Sequence, residues 1–488
     1  MIRLIVIELK KIFKHKSIYF IFLFMFLFCF FNNLLFKLDY DYDGRYKYTD
    51  DINIGKEIIR LDKEIDSYDV TNDKDKNIYV STKSLRDVYK DMIKYNKNSW
   101  QYIKYNDYMY DTIYNINYYT YVIKDSDKLK IYTNKYNKYL EYFKSNNYKY
   151  FIKEEKDTLV NKIDDIRNNI KSINDKELYN SLDRELTKYN NELFLLNYRI
   201  NNNIDYGNNY LNRALIEYGN AVRDKDIYKN RKLSFNDRIK YNNLINRIYI
   251  NKYIVDNRVN LFKNNSLNSG LRNITLDYEL FIIIVILVSI GILIGDEFSS
   301  GTIKLLIIKP YKRSTILYSK FIAGFLMILI TILFLIICEL IIGGFFLGFD
   351  SLKDIVAIYD YNVNSIKEYN VIIYMLINIL SRLPIFIFVL LFGVLINIIS
   401  SNNIISFAST FIVFSFSTVI NNLIVNNNIK ILKYLFTMNW DFSSYLFGGI
   451  GNFKYLSLKS SIFIYIIYVI ILLVIMTIYF NRKDIKNV

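Results

Sequence analysis

The fold is decided by residues 278–310, which read YELFIIIVILVSIGILIGDEFSSGTIKLLIIKP. Residues 278–295 are nearly all apolar, and a helix of about 20 such residues crosses a bilayer core about 30 Å thick. Asp296 and Glu297 follow directly, and a short apolar and basic stretch then ends at Pro310. This order predicts a membrane-spanning helix followed by a short helix in the membrane interface.

Further apolar runs of similar length give six predicted spans, at residues 17–36, 278–295, 320–345, 371–398, 404–423 and 461–480. No small-residue cleavage pattern follows the first run, so we interpret it as an uncleaved anchor rather than a signal peptide. Pro384 lies inside the fourth run, and we expect it to shorten or kink that helix. The expected fold class is therefore mainly α, a polytopic membrane protein with six transmembrane helices.

The composition excludes most catalytic chemistry. The 488 residues include two cysteines, both in apolar runs, and one histidine, so no disulfide framework, thiolate and imidazole zinc site or Ser-His-Asp group is expected. The Gly55-Lys56 pair lacks the earlier glycine and the hydroxyl of a phosphate-binding loop. We therefore predict a chain that is not an enzyme and holds no cofactor or metal. The net charge of +16 is spread along the chain, so no nucleic acid partner is expected.

Lysine and arginine in short flanking segments predict the orientation of the spans. They are concentrated before the first span, between the second and third, and after the last, at Arg3, Lys10, Lys11, Lys14, Lys16, Lys304, Lys309, Lys312, Arg313, Arg482, Lys483 and Lys486. These segments fall on one side, so both termini should be cytoplasmic. The acidic loop at 348–370 fits the outside, whereas the lysines at 424–460 do not. We expect a multi-pass protein of a bacterial cell membrane.

The polar insert at residues 37–276 then lies outside the cell, and its pattern predicts helices. Apolar residues alternate at spacings of four and three in two runs, Leu159-Ile163-Ile166-Ile170-Ile173 and Leu182-Leu186-Tyr189-Leu193-Leu196-Ile200. This spacing is typical of a coiled-coil seam. The phase breaks at residues 174–177, where Asn174 and Glu177 suit a helix cap with a capping-box glutamate.

We therefore expect either a helical hairpin or one long helix with a stutter. The seam either packs the core of the insert or forms a stalk that meets a partner or a sister subunit. The tyrosine- and asparagine-rich stretch at 89–150 is also expected to be helical.

Two segments next to the spans predict short helices. In residues 1–16 the apolar side chains of Ile5, Leu9, Ile12 and Phe13 share one face, which is typical of a basic amphipathic helix on an anionic inner leaflet. After the second span, Thr302 suits a helix N-cap, Pro310 ends that helix, and Ser314 suits the cap of the next helix.

The order of residues in this second segment resembles the signature of permease subunits of type-2 ATP-binding-cassette (ABC) exporters. In those permeases an acid is followed by Gly-Thr, a basic residue, a leucine pair, proline, arginine and a later lysine. The matching positions are Glu297, Gly301, Thr302, Lys304, Leu305, Leu306, Pro310, Arg313 and Lys320. Residues 8–16 resemble the basic lead-in helix of these permeases, and residues 480–485 resemble their closing tail. The large insert departs from the short loop that many members have.

The resemblance implies a permease that moves a hydrophobic or amphipathic substrate, such as an antimicrobial peptide or a lipid-like compound, by alternating access. It implies a second permease subunit, identical or different, and a separate ABC ATPase subunit that binds ATP and magnesium. The ATPase would dock on residues 301–309, so Lys309 joins the predicted coupling residues. We expect Glu297 and Arg313 to form an electrostatic latch, and Gly295 and Gly301 to provide flexibility.

Two other functions stay open. The chain could be a membrane-anchored receptor or sensor whose external insert binds a ligand. It could also be a force-transmitting ABC subunit that exports nothing and acts through its insert.

Glu339 and Arg382 lie inside predicted spans, where charged side chains are costly and often functional. We expect them to pair with each other or line a substrate path, or else to extend toward the outer interface. Trp440 lies in a segment that suits interfacial helices. The predicted organisation is 1–16 interface helix, 17–36 first span, 37–276 extracellular helical domain, 278–295 second span, 296–319 cytoplasmic coupling segment, 320–345 third span, 371–398 fourth, 404–423 fifth, 424–460 external segment, 461–480 sixth and 481–488 cytoplasmic tail.

Overall fold

The computed structural model describes residues 1–43, 54–70, 72–171, 175–228, 234–262, 266–307, 310–427, 429–449 and 456–483. The chain divides into two compact units. The membrane unit comprises Met1–Asp41, Ser234–Ile239 and Lys263–Val488, and the insert unit comprises Tyr42–Leu233 and Lys240–Phe262.

The described residues are mainly helical. The α-helices are α1 Ile2–Lys14, α2 Lys16–Asp43, α3 Ile54–Ser67, α4 Asp73–Met92, α5 Trp100–Tyr121, α6 Ser126–Lys144, α7 Tyr148–Ile170, α8 Lys176–Asn201, α9 Tyr210–Asp226, α10 Phe235–Asn257, α11 Leu267–Arg272, α12 Ile274–Asp277, α13 Glu279–Ile290, α14 Asp296–Ser299, α15 Ile303–Ile307, α16 Arg313–Cys338, α17 Gly344–Leu347, α18 Val371–Ser400, α19 Asn403–Asn426 and α20 Leu458–Arg482. Two wider π-turns lie at Gly291–Gly295 and Glu339–Gly343, and 3₁₀ turns lie at Asp350–Lys353, Lys430–Tyr434, Phe436–Met438 and Ser443–Gly448.

Among the described residues, six helical stretches are long and apolar enough to cross a membrane, which agrees with the predicted number of spans. They are Lys16–Leu38, Glu279–Ser299, Arg313–Leu347, Val371–Ser400, Asn403–Asn426 and Leu458–Arg482. The third begins earlier than predicted: its cap residue is Lys312, and Ser314 lies inside the helix, so the predicted cap at Ser314 is wrong. The fourth continues past Pro384, whose carbonyl accepts a hydrogen bond from the Tyr465 hydroxyl at 3.0 Å.

The second and fourth spans form the centre of the membrane unit. In their most apolar stretches 61% and 67% of residues are buried, against 22% in the first, fifth and sixth spans. α13 packs on α16, α18 and α19, and α18 packs on α20 as well. A helix that is apolar all round belongs either in a core or against lipid, so the exposed apolar sides of the outer spans fit a membrane environment.

In the insert unit, α7 and α8 form a helical hairpin, which was one of the two arrangements expected. α7 packs against α8, and Ile163 and Ile166 of the first heptad run are buried. α8 is capped by Asp175, whose carboxylate accepts hydrogen bonds from the backbone N–H groups of Glu177 and Leu178. The cap therefore follows Asn174 by one residue, and Asn174 lies outside the described residues. Helices α4, α5 and α6 confirm the helical prediction for the tyrosine-rich stretch.

A β-hairpin was not predicted in the loop between the third and fourth spans. Strand β1, Val356–Asp360, pairs antiparallel with strand β2, Ser365–Tyr369, with Val356 opposite Tyr369. The Asp360 carboxylate accepts the Asn362 N–H at 2.8 Å, and this local bond favours the turn. The acidic charge of the loop suggested its location but carried no information on its strand pairing.

Candidate functional site at the membrane elbow

The end of the second span and the segment that leads from it into the third span form a bent connection, which we call the elbow and define as residues 296–312. α14 ends at Ser299, and the backbone turns at Gly301, whose φ of +69° is rarely adopted by other residues. α15 begins at Ile303, directly after Thr302, as predicted. Gly301 is thus required by the shape of the turn. Lys309 lies outside the described residues.

A buried cluster of four charges joins the base of the elbow to other elements, and we call Glu8, Lys11, Glu297 and Lys320 the charge cluster. Lys320, on the third span, has a side chain only 1% exposed. Its Nζ lies 2.7 Å from Glu297 Oε1 at the end of the second span and 3.1 Å from Glu8 Oε1 on α1. Three separate elements therefore meet at one ammonium group.

The π-turn before the elbow contributes a further acceptor to Lys320. The Leu293 carbonyl, within Gly291–Gly295, accepts a hydrogen bond from Lys320 Nζ at 2.7 Å. A π-turn shifts the register of the helical hydrogen bonds, and such turns are frequent at functional sites. The buried Lys320 ammonium thus forms a hydrogen bond with a backbone carbonyl of the irregular turn.

Lys11 completes the cluster at its exposed edge. Its Nζ lies 3.1 Å from Glu8 Oε2 and also bonds Glu297. Two carboxylates and two ammonium groups balance each other, as buried ion pairs require. Burial alone would lower the pKa of Lys11, but Glu297 and Glu8 raise it above its ordinary value.

Gly295 is closely packed against Asn403 of the fifth span. A Cβ at this position would lie 1.1 Å from the Asn403 Oδ1, so the Asn403 side chain occupies the space above the glycine. Asn403 accepts a bond from Asn397 at 3.0 Å and donates to Asp296 at 2.9 Å. The fifth span is thereby tied to the first residue of the elbow, and the flexibility expected of Gly295 stays a prediction.

The far end of the elbow is tied to the C-terminal tail. Arg313 donates to the carbonyls of Asn481 and Lys483 at 2.9 and 3.1 Å. The Lys483 ammonium lies 4.5 Å above the centre of the Phe298 ring. Arg313 therefore binds the tail, and the predicted latch with Glu297 does not form, because Glu297 is already paired with two lysines.

One face of the elbow is open. Ile303 is fully buried, whereas Lys304 and Thr302 are exposed and Leu305 is 66% exposed. Pro310 is exposed at the end of the same segment. The elbow thus presents an apolar side chain and basic charge beside a firmly packed base.

Glu339 and Arg382 do not contact each other. Arg382 Nη2 lies 2.8 Å from a carboxylate oxygen of Glu279, at the start of the second span. Glu339 is 2% exposed, and its neighbours are Asn33, Cys29 and Tyr278. The predicted pairing of Glu339 with Arg382 is therefore wrong, and neither side chain extends out of the protein.

The insert unit has its own cavity of about 630 Å³ between helices α5 to α9. Five carboxylates and three cationic side chains line it together with tyrosines and aliphatic residues. The Glu155 carboxylate accepts hydrogen bonds from the hydroxyls of Tyr108 and Tyr206, and burial raises the pKa of both phenols. The Arg199 guanidinium stacks 4.1 Å from the centre of the Tyr206 ring. Cavities of this size accept small ligands.

Glu297 and Lys320 were predicted from the sequence, whereas Glu8 was not. A signal for it exists in α1, where Leu4, Glu8 and Ile12 follow each other at intervals of four and are all buried. An acid in an apolar helical stripe needs a buried cation. The predicted stripe of Ile5, Leu9, Ile12 and Phe13 does pack on the protein, with Ile12 fully buried.

The fold and these contacts define a mainly helical membrane protein with six candidate spans and a large helical insert. A protein family described as "Protein of unknown function (DUF2705)" matches residues 239–486, which is just over half of the chain. The chain belongs to this family. The matched region contains the second to sixth spans and the elbow. Neither a curated protein nor a solved structure matches the chain.

Proposed function

We propose that the chain is the permease subunit of an ABC exporter, and that its elbow is the place where a separate ATPase docks. The observation that carries the proposal is the charge cluster, since it fixes the base of the elbow to the second span, the third span and α1. A push on the open face would pass into these packed helices. Two-state repacking of spans is an established way to convert such a movement into transport.

The open face has the chemistry of a docking surface. Leu305 would be buried by the partner, and Lys304 would meet an acidic group on it. In this proposal both termini and the elbow are cytoplasmic, the insert unit is extracellular, and two permease subunits act with two ATPases. The substrate would be hydrophobic or amphipathic. ATP and magnesium would bind the ATPase subunits.

The test is co-purification of an ATPase with the full chain from its native membrane. We expect wild type to retain a protein with a phosphate-binding loop, and Leu305→Asp to reduce its amount about tenfold, as the loss of an anchor residue does. Ile431→Asp is the matched control, since Ile431 is 76% exposed and lies away from the elbow in sequence. No ATPase with wild type, or equal amounts with Leu305→Asp, would contradict the proposal.

A receptor or sensor is the second candidate, and the cavity in the insert unit favours it. Its carboxylates outnumber its cations five to three, and Leu195, Leu196 and Leu215 provide an apolar side. An amphipathic cation would suit this lining. Ligand-dependent stabilisation of the chain in the absence of any ATPase would support the receptor, because a ligand that binds the folded state raises the melting temperature.

A further inference from the structure

Glu339 is a buried carboxylate whose hydrogen-bond donors are all neutral. It begins the π-turn Glu339–Gly343 in the third span and is 2% exposed. Its Oε2 accepts bonds from Asn33 Nδ2 at 3.1 Å, from Cys29 Sγ at 3.4 Å and from the Tyr278 hydroxyl at 3.4 Å. All three donors reach the same oxygen.

No cation compensates this carboxylate among the described residues. The titratable groups around it are Cys29 on the first span, Asp277 and Tyr278 before the second span, and Cys338 on its own helix. None of them brings a positive charge, and no lysine, arginine or histidine of the described residues forms an ion pair with Glu339. An isolated buried carboxylate is costly, so a neutralising group is expected.

The side-chain oxygen of Asn33 lies beside Glu339. Asn33 is fully buried, and its Oδ1 has no hydrogen-bond donor among the residues that the structure describes. A Cβ placed on Gly343 would lie 3.1 Å from this Oδ1 and 3.1 Å from Glu339 Oε1, so both oxygens face the space above Gly343. A Cβ on Gly270 would lie only 2.0 Å from Oε1, so this glycine provides the space that the carboxylate occupies.

We propose that Glu339 and Asn33 bind one small monovalent cation between Oε1 and Oδ1, either a proton or an alkali-metal ion. If Oε1 takes up a proton from the solvent, the resulting O–H group would donate a hydrogen bond to Oδ1. Asn33 Nδ2 would continue to donate a hydrogen bond to Oε2. The acid and the amide would then form a ring of two hydrogen bonds. An alkali-metal ion would instead take both oxygens as ligands. This inference does not rest on the proposed function.

The test is thermal unfolding of the full chain in lipid nanodiscs. A cation that binds only the folded site raises the melting temperature as its concentration rises. One series lowers the pH from alkaline to neutral with choline as the only other cation, and a second adds sodium or potassium at fixed alkaline pH. A rise of a few degrees in the first series identifies a proton, and a rise in the second identifies an alkali-metal ion.

Glu339→Gln is the decisive variant because its amide can donate to Asn33 Oδ1 and still accept from Asn33 Nδ2. We expect this variant to lose the pH- or ion-dependent rise and to melt within a few degrees of cation-bound wild type. Glu279→Gln is the matched control: it removes another carboxylate, which pairs with Arg382, and should keep the rise. Parallel curves for wild type and Glu339→Gln in both series would overturn the proposal.

Infrared difference spectroscopy of wild type keeps the proposal testable if Glu339→Gln does not fold. A carboxylic acid carbonyl band that titrates supports the proton, and a carboxylate band that shifts with sodium or potassium supports the metal ion. A carboxylate band that responds to neither would overturn the proposal.

Discussion

Two buried carboxylates in the membrane unit, Glu297 and Glu339, lie next to π-turns but have opposite surroundings. Glu297 follows Gly291–Gly295 and meets two lysines. Glu339 opens Glu339–Gly343 and meets only neutral donors. The same irregular helical geometry thus supports a closed, charge-balanced clamp at the elbow and an uncompensated site near the other end of the third span.

The difference shows what each site is suited to do. Breaking one partner of a buried ion pair costs about 3–5 kcal/mol, so the charge cluster holds the base of the elbow firmly. A carboxylate with neutral donors gains its charge balance from outside the chain, so its state depends on conditions. The elbow is suited to transmit movement, and the Glu339 site is suited to exchange a cation.

Lys320→Met should cause the largest loss of stability. It leaves the buried carboxylates of Glu8 and Glu297 with Lys11, which is partly exposed, as their remaining counter-charge. We therefore expect a loss of about 4 kcal/mol in the free energy of unfolding. Denaturant unfolding of the full chain in mixed micelles measures it. Lys312→Met is the control, since Lys312 is exposed, and it should stay within about 0.5 kcal/mol of wild type. Equal stabilities would mean that the cluster does not hold the elbow.

Glu297→Gln and Glu339→Gln compare the two buried carboxylates directly. The first change removes a charge that two lysines share, although Lys320 keeps Glu8, so we expect a loss of about 3 kcal/mol. The second change removes an uncompensated charge and should cost less than about 1 kcal/mol. Denaturant unfolding of both variants in mixed micelles measures the two losses. A greater loss for Glu339→Gln would reverse the contrast between the two sites.

Gly295→Ala tests the packing on which the elbow rests. The added Cβ would displace the Asn403 side chain from Asp296 and Asn397, and we expect a loss of about 2 kcal/mol from the broken buried hydrogen bonds. Gly291→Ala in the same π-turn is the control, because its Cβ would lie 3.8 Å from the nearest atom and should be tolerated. Equal melting temperatures for the two variants would show that Asn403 does not hold this joint.

Lys11→Gln should have the smallest effect. Lys11 is at the edge of the cluster with 34% of its side chain exposed, so solvent screens it and we expect a loss of about 1 kcal/mol that shrinks with added salt. The pKa of Lys11 is raised in the folded state. Its contribution to the free energy of unfolding is therefore complete below the ordinary lysine pKa and is lost as the pH rises through the raised pKa of the folded state. A loss independent of salt would indicate a packing role instead.

The sequence was sufficient for the number of spans and the start of α15, because apolar length and local capping chemistry decide both. Glu297 and Lys320 were selected through a motif, but their contact depends on how separate spans pack, which no local pattern contains. The same limit explains the wrong pairing of Glu339 with Arg382, since Arg382 pairs with Glu279 while Glu339 accepts hydrogen bonds from neutral donors. The β1–β2 hairpin was missed because only the acidic charge of that loop was considered, and charge does not indicate strand pairing.

The most direct test of the account is chemical crosslinking from the open face of the elbow in native membranes. Leu305→Cys introduces an exposed thiol, while Cys29 and Cys338 are buried and give little background. If the elbow is the docking site of an ATPase, a thiol-reactive crosslinker applied from the cytoplasmic side will join this position to a protein with a phosphate-binding loop. Labelling of Leu305→Cys by a membrane-impermeant reagent from outside intact cells would contradict it.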